Sequence, residues 1–291
     1  MQYSLFTPEV DWSPPSSFPE LSNYSEVAID LETHDPLLLS HGPSWAFSNT
    51  GHVTGIAIAT KDFNMYFPIE HKGGGNLDKN MVLTWFTKQM SYNNDKIFHN
   101  SLYDLGWIKR LGIEVNGTIH DTMFAAPLIN ENQYGYSLNK LGERYLNEIK
   151  DEKLLKEAAD AYSLDPKKDM WKLPAKYVGV YAEQDAGLTL KLWQLFKELL
   201  KSENVEKIYE LETGLIPILL NMRYKGVPVD LDVAERVGKQ LKKEEDDILN
   251  GIKKEHGVYP DLWAAASVAT VFDRAGLAYP RSPKINAPSF T

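Results

Sequence analysis

Val27-Ala28-Ile29-Asp30-Leu31-Glu32-Thr33 constrains this chain more than any other stretch. An apolar run of this length, rich in branched residues, reads as a buried strand. Residues two apart on a strand face the same side, so Asp30 and Glu32 project together from a sheet that is otherwise apolar. Two carboxylates held side by side repel and raise each other's pKa. Such a strand has to end at a solvated edge of the sheet or carry a cation between the two acids. Oxygen ligands of this kind suit a hard divalent ion such as Mg2+ or Mn2+. With 40 acidic residues among 291, acidic pairs at this spacing also arise by chance on solvated surfaces. The apolar strand leading into this pair, and its partners further along, set it apart.

Composition narrows the classes. The chain has no cysteine, which excludes disulfides, thiolate zinc sites and iron–sulfur clusters and favours an intracellular setting. No 18-residue apolar run is present and the N-terminus lacks a basic segment followed by an apolar one, so neither a membrane span nor a secretory leader is expected. The net charge of −9 argues against a non-specific electrostatic clamp on nucleic acid, but not against an acidic metal site that meets a phosphodiester.

Four prolines between Pro8 and Pro19 make residues 1–25 an extended arm on the surface. The pattern then predicts strands at 27–32, 53–59 and 65–69 in an antiparallel meander, with a long irregular loop over 34–51 of the kind that is often functional. Gly73-Gly74-Gly75 lacks the Gly-Lys-Ser/Thr continuation of a phosphate loop and reads as a flexible turn. Alternating helices and short strands follow, and a long helix is expected from Leu173 to Lys201 with Pro174 in its first turn. Strands first, then strands alternating with helices, describe an α/β domain ending near residue 203. Beyond it, long helices are expected over 204–225 and 231–256, separated by a break at 226–230 that could form a short strand, with a smaller helix at 262–275.

Two further stretches carry chemistry. In Phe98-His99-Asn100-Ser101-Leu102-Tyr103-Asp104 a strand ends and a helix begins, the place where open α/β sheets build sites. Asn100 is placed to cap that helix, and Asp104 lies in its first turn, where an acid also favours the helix dipole. In Tyr181-Ala182-Glu183-Gln184-Asp185, the phenol and the acid are one turn apart on one face of the long helix. Asp185 sits at the edge of an apolar face, where a carboxylate needs a partner or a metal.

Taken in order, D-x-E at Asp30 and Glu32, H-N-x-x-x-D from His99 to Asp104, and Y-x-x-x-D at Tyr181 and Asp185 resemble the three motifs of the DEDD exonuclease superfamily, in its tyrosine-bearing branch. The resemblance covers about residues 24–200. It implies an RNase H-like mixed sheet flanked by helices, two divalent cations (Mg2+ or Mn2+) and 3′→5′ hydrolysis of a nucleic acid end. It also implies that Asp30, Glu32 and Asp185 hold one cation and Asp30 with Asp104 the other. Tyr181 would orient the attacking water, while Thr33 and Asn100 contact the terminal nucleotide.

The C-terminal part, Leu211 to Arg223 followed by Gly226-Val227-Pro228-Val229-Asp230, looks like the opening of the polymerase region of family A DNA polymerases. Ser282-Pro283-Lys284 looks like the thumb tip of bacteriophage members. The domains expected are an arm at 1–25, an exonuclease domain at 26–203 and a helical thumb-like segment at 204–291, with palm and fingers absent, either because the chain is a piece of a longer polymerase or because another chain carries them. The resemblance implies a proofreading exonuclease acting on a single-stranded or frayed DNA end in the cytoplasm, that of the host if the gene is phage-borne. An RNA-trimming exonuclease of the same superfamily and a non-catalytic DNA-binding scaffold are the alternatives, and a separate polymerase chain is the expected protein partner. The basic residues Arg281 and Lys284 could hold the duplex behind the frayed end.

Overall fold

The computed structural model describes residues 7–290. By contacts the chain divides after Gly226 into two units. The central strand of the first is β1 (Glu26–His34). It pairs antiparallel with β2 (His52–Ala59), which is reached through a long connection containing the single turn α1 (Leu38–His41). β3 (Asn64–Pro68) pairs antiparallel with β2. After α2 (Lys79–Met90), β4 (Asp95–Phe98) joins the other edge of β1 in parallel, and after α3 (Ser101–Arg110), β5 (Ile119–Asp121) extends the sheet in parallel. The order is β3-β2-β1-β4-β5, the mixed α/β sheet expected.

Side-chain size decides which helices cover which face. Val27, Ile29, Leu31, Ile56 and Ile58 form a bulky face against Val82, Phe86 and Met90 of α2 and Leu105 and Ile108 of α3. On the opposite face β1 and β2 carry small residues, Ala28, Ala57 and Ala59, flanked by Ile97 on β4 and Tyr66 on β3. This face takes α4 (Thr122–Ile129), α5 (Leu138–Leu146), α6 (Lys153–Ala161) and α7 (Gly179–Ser202). Small residues on α7 let it approach closely: a β-carbon on Gly187 would lie 2.4 Å from the Asn64 amide nitrogen. Asp30 and Glu32 lie on this small-residue side of β1, two and four residues beyond Ala28.

Several expectations are corrected. Residues 7–25 form no helix or strand, yet they do not simply lie on the surface. Leu21 is fully buried and its N–H donates to Gln89 at 2.7 Å. Trp12 donates to Glu183 at 3.0 Å and fills the space a side chain on Gly179 would need. The part of the expected arm over residues 1–6 lies outside the described residues. The long helix starts at Gly179, not Leu173, because the preceding backbone is engaged elsewhere. Lys72 N–H donates to Trp171 O at 2.9 Å and Ala175 N–H to Gly74 O at 3.0 Å. Gly73 leaves no room for a side chain, since its β-carbon would lie 2.3 Å from the Pro174 nitrogen. The triple glycine does lie in a turn, with the Gly74 N–H donating to His71 O at 3.2 Å, and Gly73 within it docks closely on the Pro174 backbone.

The helix expected over 204–225 is two helices, α8 (Glu206–Gly214) and α9 (Ile216–Lys225). Pro217 has no N–H to continue the ladder and its ring opposes the preceding turn. Both helices pack on the sheet domain through buried Tyr209, Ile216 and Leu220. Tyr209 Oη accepts the Asp121 N–H at 2.8 Å, and Tyr224 donates to Gly106 O at 2.6 Å. The first unit thus runs to Gly226, past the boundary expected near 203.

One buried cation stands out in this unit. Lys96 on β4 is fully buried, and its ammonium lies 2.6 to 2.9 Å from Tyr92 O, Asn94 O, Asn94 Oδ1 and Asn116 O. Burial pulls it down to about 8.

In the second unit no strand forms over 227–230; instead Asp230 caps α10 (Leu231–His256), accepting the Val233 N–H at 2.9 Å. After α11 (Ala265–Ala275), the rings of Phe272, Tyr279 and Phe290 cluster with centroids 5.1 to 5.9 Å apart. Arg281 is exposed and donates to Tyr279 Oη at 2.7 Å and Asn286 O at 3.1 Å. Among the described residues no helix is long and apolar enough to cross a membrane.

Candidate active site

The site begins where β4 stops. Parallel pairing between β1 and β4 covers only Glu26 to Ala28 on β1. Further along, the Leu31 N–H donates to Asp104 Oδ1 at 3.0 Å, so the first turn of α3 takes over from the missing strand. A bulge between Glu32 and Thr33 then shifts the register against β2. Bulges re-aim side chains at sheet ends, and past this one Thr33 Oγ1 meets Tyr103 Oη at 2.7 Å.

From the other side α7 brings Tyr181 and Asp185, one turn apart. Asp30, Glu32 and Asp185 each offer a carboxylate oxygen, and these oxygens lie within 4.8 Å of one another. Asp104 stands outside this trio, held by the Leu31 N–H. All seven residues singled out from the sequence (Asp30, Glu32, Thr33, Asn100, Asp104, Tyr181 and Asp185) line one cleft of about 870 Å³.

Electrostatics explain what such a cluster requires. Burial, and next the charge of Asp185, push Asp30 up to about 7, against the pull of Lys150. Burial, then Asp30 and Asp185, raise Glu32 well above the usual carboxylate range. Burial and then Asp30 do the same to Asp104, although its hydrogen bond from Leu31 acts the other way. Asp185 is raised by burial, with Lys150 opposing. The residues present fit a divalent cation. The donors are all oxygens and they converge within ligand reach. Burial also raises the Tyr181 phenol, first by desolvation and then by the charge of Asp185, so it stays neutral.

Three features escaped the sequence reading. Asn100 precedes α3 but its side chain makes no cap; it sits at φ 71°. The fully buried Asp121 caps instead, accepting the Asn100 N–H at 3.1 Å and the Ser101 N–H at 2.6 Å while also capping α4 through Met123 at 2.8 Å. Asp followed by Thr at a strand end signalled the second role; the first is a contact across 20 residues. Lys150, in the loop after α5, reaches Asp185 and Tyr181 with no motif to mark it. Finally, the segment before α7 supplies a rim of Lys167, Lys168, Trp171 and Lys172 to the cleft. Trp171 stacks on His34 with ring centroids 4.0 Å apart. The run Pro166-Lys167-Lys168 was legible only as charge.

Known proteins share both the sequence pattern and the fold. Residues 16–201 match the family described as the 3′–5′ exonuclease of A-type DNA polymerases. A DNA-directed DNA polymerase of Pseudomonas phage M6 is 35% identical over 95% of this chain and 43% of its own length. DNA polymerase I of Borreliella burgdorferi is 28% identical over 89% of this chain and 27% of its own. The chain thus spans less than half the length of these relatives. Two solved structures share the fold. The POL domain of Pol1 from M. smegmatis matches with a TM-score of 0.64 and 17% identity, over 92% of this chain and 41% of that one. NrnC of Brucella melitensis matches with a TM-score of 0.51 and 18% identity, over 72% of this chain and 90% of that one. With most of its length matched, the chain belongs to the 3′–5′ exonuclease family of the family A DNA polymerases.

Proposed function

We propose that this chain removes nucleotides one at a time from the 3′ end of a DNA strand, as the proofreading part of a family A polymerase. The observation that carries the reading is the convergence of Asp30, Glu32 and Asp185 within 4.8 Å in a cleft that also holds Tyr181 and Asp104. In this reading Asp30, Glu32 and Asp185 hold one divalent cation, and Asp30 with Asp104 a second. Such ions, when bound, stabilise charge on the phosphate oxygens and acidify water, so no strong side-chain base is required. Tyr181, kept neutral by burial, orients the attacking water through its hydroxyl rather than taking its proton.

Thr33 and Asn100, on the cleft wall, meet the terminal nucleotide. Lys167, Lys168 and Lys172 track the phosphates of a single strand. A mispaired end frays at lower cost than a paired one and so enters the cleft preferentially, with no reading of base identity. In this proposal residues 26–203 carry the catalytic chemistry, with α8 and α9 packed on them, and 204–291 are the thumb-like beginning of a polymerase region whose remainder works beside it, in a phage-infected or bacterial cytoplasm.

The test is degradation of a 5′-labelled single-stranded DNA oligomer, with an RNA oligomer alongside, in Mg2+ or Mn2+. A one-nucleotide ladder from the 3′ end of DNA is expected. It should fall about a thousandfold in Asp30→Asn, the size of losing several kcal/mol of transition-state stabilisation. Internal cuts, faster RNA trimming or an active Asp30→Asn chain would overturn the reading.

A further inference from the structure

Lys150 has no part in the reaction as proposed above, yet it is the cation set deepest against the carboxylate cluster. Its Nζ lies 2.5 and 2.7 Å from the two carboxylate oxygens of Asp185 and 3.1 Å from Tyr181 Oη. It also sits 4.2 Å from the centre of the Tyr181 ring. This is no solvated surface pair, since the Lys150 and Asp185 side chains are only 7% and 9% exposed. The loop that carries Lys150 is fastened to α7 on both sides of it. Glu148 pairs with Lys191 at 2.8 Å, and the Asp151 N–H donates to Gln184 Oε1 at 3.1 Å. The ammonium is therefore placed by the fold rather than by chance of rotamer.

A buried pair of this kind is stabilising only when both charges stay compensated; removing one partner leaves the other stranded. Asp185 belongs to a trio of acids, and among the described residues Lys150 is the one lysine paired with it. We propose that Lys150 is the built-in counter-ion of the centre. It supplies positive charge to the acids before a divalent cation arrives, and the cation must then displace it from Asp185 or share Asp185 against its repulsion. Lys150 thereby sets how tightly the centre holds metal. Because the same ammonium donates to Tyr181, loading the centre also changes the contact that positions the phenol. Lys150 is thus a positioning residue, acting through Asp185 and Tyr181. The inference rests on the reading of Asp30, Glu32 and Asp185 as ligands.

The experiment compares wild type, Lys150→Met and Lys150→Arg by calorimetric titration with Mn2+ at pH 8, and by thermal unfolding in EDTA and in excess Mn2+. A unit positive charge a few ångströms from a dication repels it even when screened, and a flexible lysine stem relieves part of that repulsion by swinging aside, so we expect Mn2+ to bind Lys150→Met at least about tenfold tighter than wild type. Lys150→Met should also melt lower than wild type in EDTA, so its gain in Tm on adding Mn2+ widens. Lys150→Arg, which keeps the charge, should stay near wild type in both. A Met variant that folds only with Mn2+ present would support the proposal equally. Mn2+ binding to Lys150→Met no tighter than to wild type, or an Arg variant that behaves like the Met one, would overturn it. If wild type itself takes up no Mn2+, the ligand reading fails instead, and the two failures are distinguishable.

Discussion

Asp30 shows how a single residue's surroundings turn into a pH dependence. Its carboxyl is held at about 7 in the fold, against an ordinary value of 3.8. Between those values the folded chain keeps a proton that the unfolded chain has lost, so stability is greatest at the acid end and declines as pH rises towards 7. In EDTA the Tm should therefore fall by several degrees between pH 5 and pH 7.5. Excess Mn2+, which binds the ionised acids, should flatten or reverse that slope. Thermal unfolding of wild type and Asp30→Asn across this range checks the assignment; an unchanged slope in the variant would place the titration elsewhere. At this scale the acids were legible because strand and helix periodicities fix which side chains share a face. Asn100 was misread because a capping position implies nothing about which side chain caps. Lys150 was invisible, as a loop carries no period.

Elements matter through what replaces a missing strand. Past Ala28, β1 has lost β4 as a partner, and α3 takes its place only if its first turn is held in position. Asp121 holds it, taking the N–H groups of Asn100 and Ser101 on one buried carboxylate that also caps α4 through Met123. Asp121→Ala should cost about 3 kcal/mol in urea unfolding, the order expected when a buried, charge-assisted set of bonds is removed. Exonuclease rate should drop more than folding alone explains, because Asp104 loses its anchor. The check is activity at a temperature where the variant remains folded; full activity there would make Asp121 purely structural. The strands and their order were readable from the run of apolar segments. The starts of α7 and α9 were not, because they depend on Gly73 docking against Pro174, on the Gly74 carbonyl taking the Ala175 N–H, and on Pro217 interrupting a ladder.

For the whole molecule, the question is where the first unit stops. Composition and resemblance point to residue 203, whereas buried contacts continue to Gly226. A chain cut after Glu203 loses Tyr209, Ile216 and Leu220, each a buried side chain worth about 1.5 to 3 kcal/mol. It should unfold several kcal/mol more easily than a chain cut after Gly226, which should keep one cooperative transition. Equal stability of the two would return the boundary to 203. The sequence could not settle this, since the docking of α8 and α9 is a matter of faces meeting, not of motif. The same unit holds a brace of another kind. Lys96 draws the carbonyls of residues 92, 94 and 116 onto one ammonium in a chain without a single cysteine. It cross-links distant backbone without any redox chemistry, so reducing conditions leave it intact. Unlike a disulfide it places no restraint on the unfolded chain. Whatever it contributes exists only while the loops are together, and it re-forms without an oxidant each time the chain refolds.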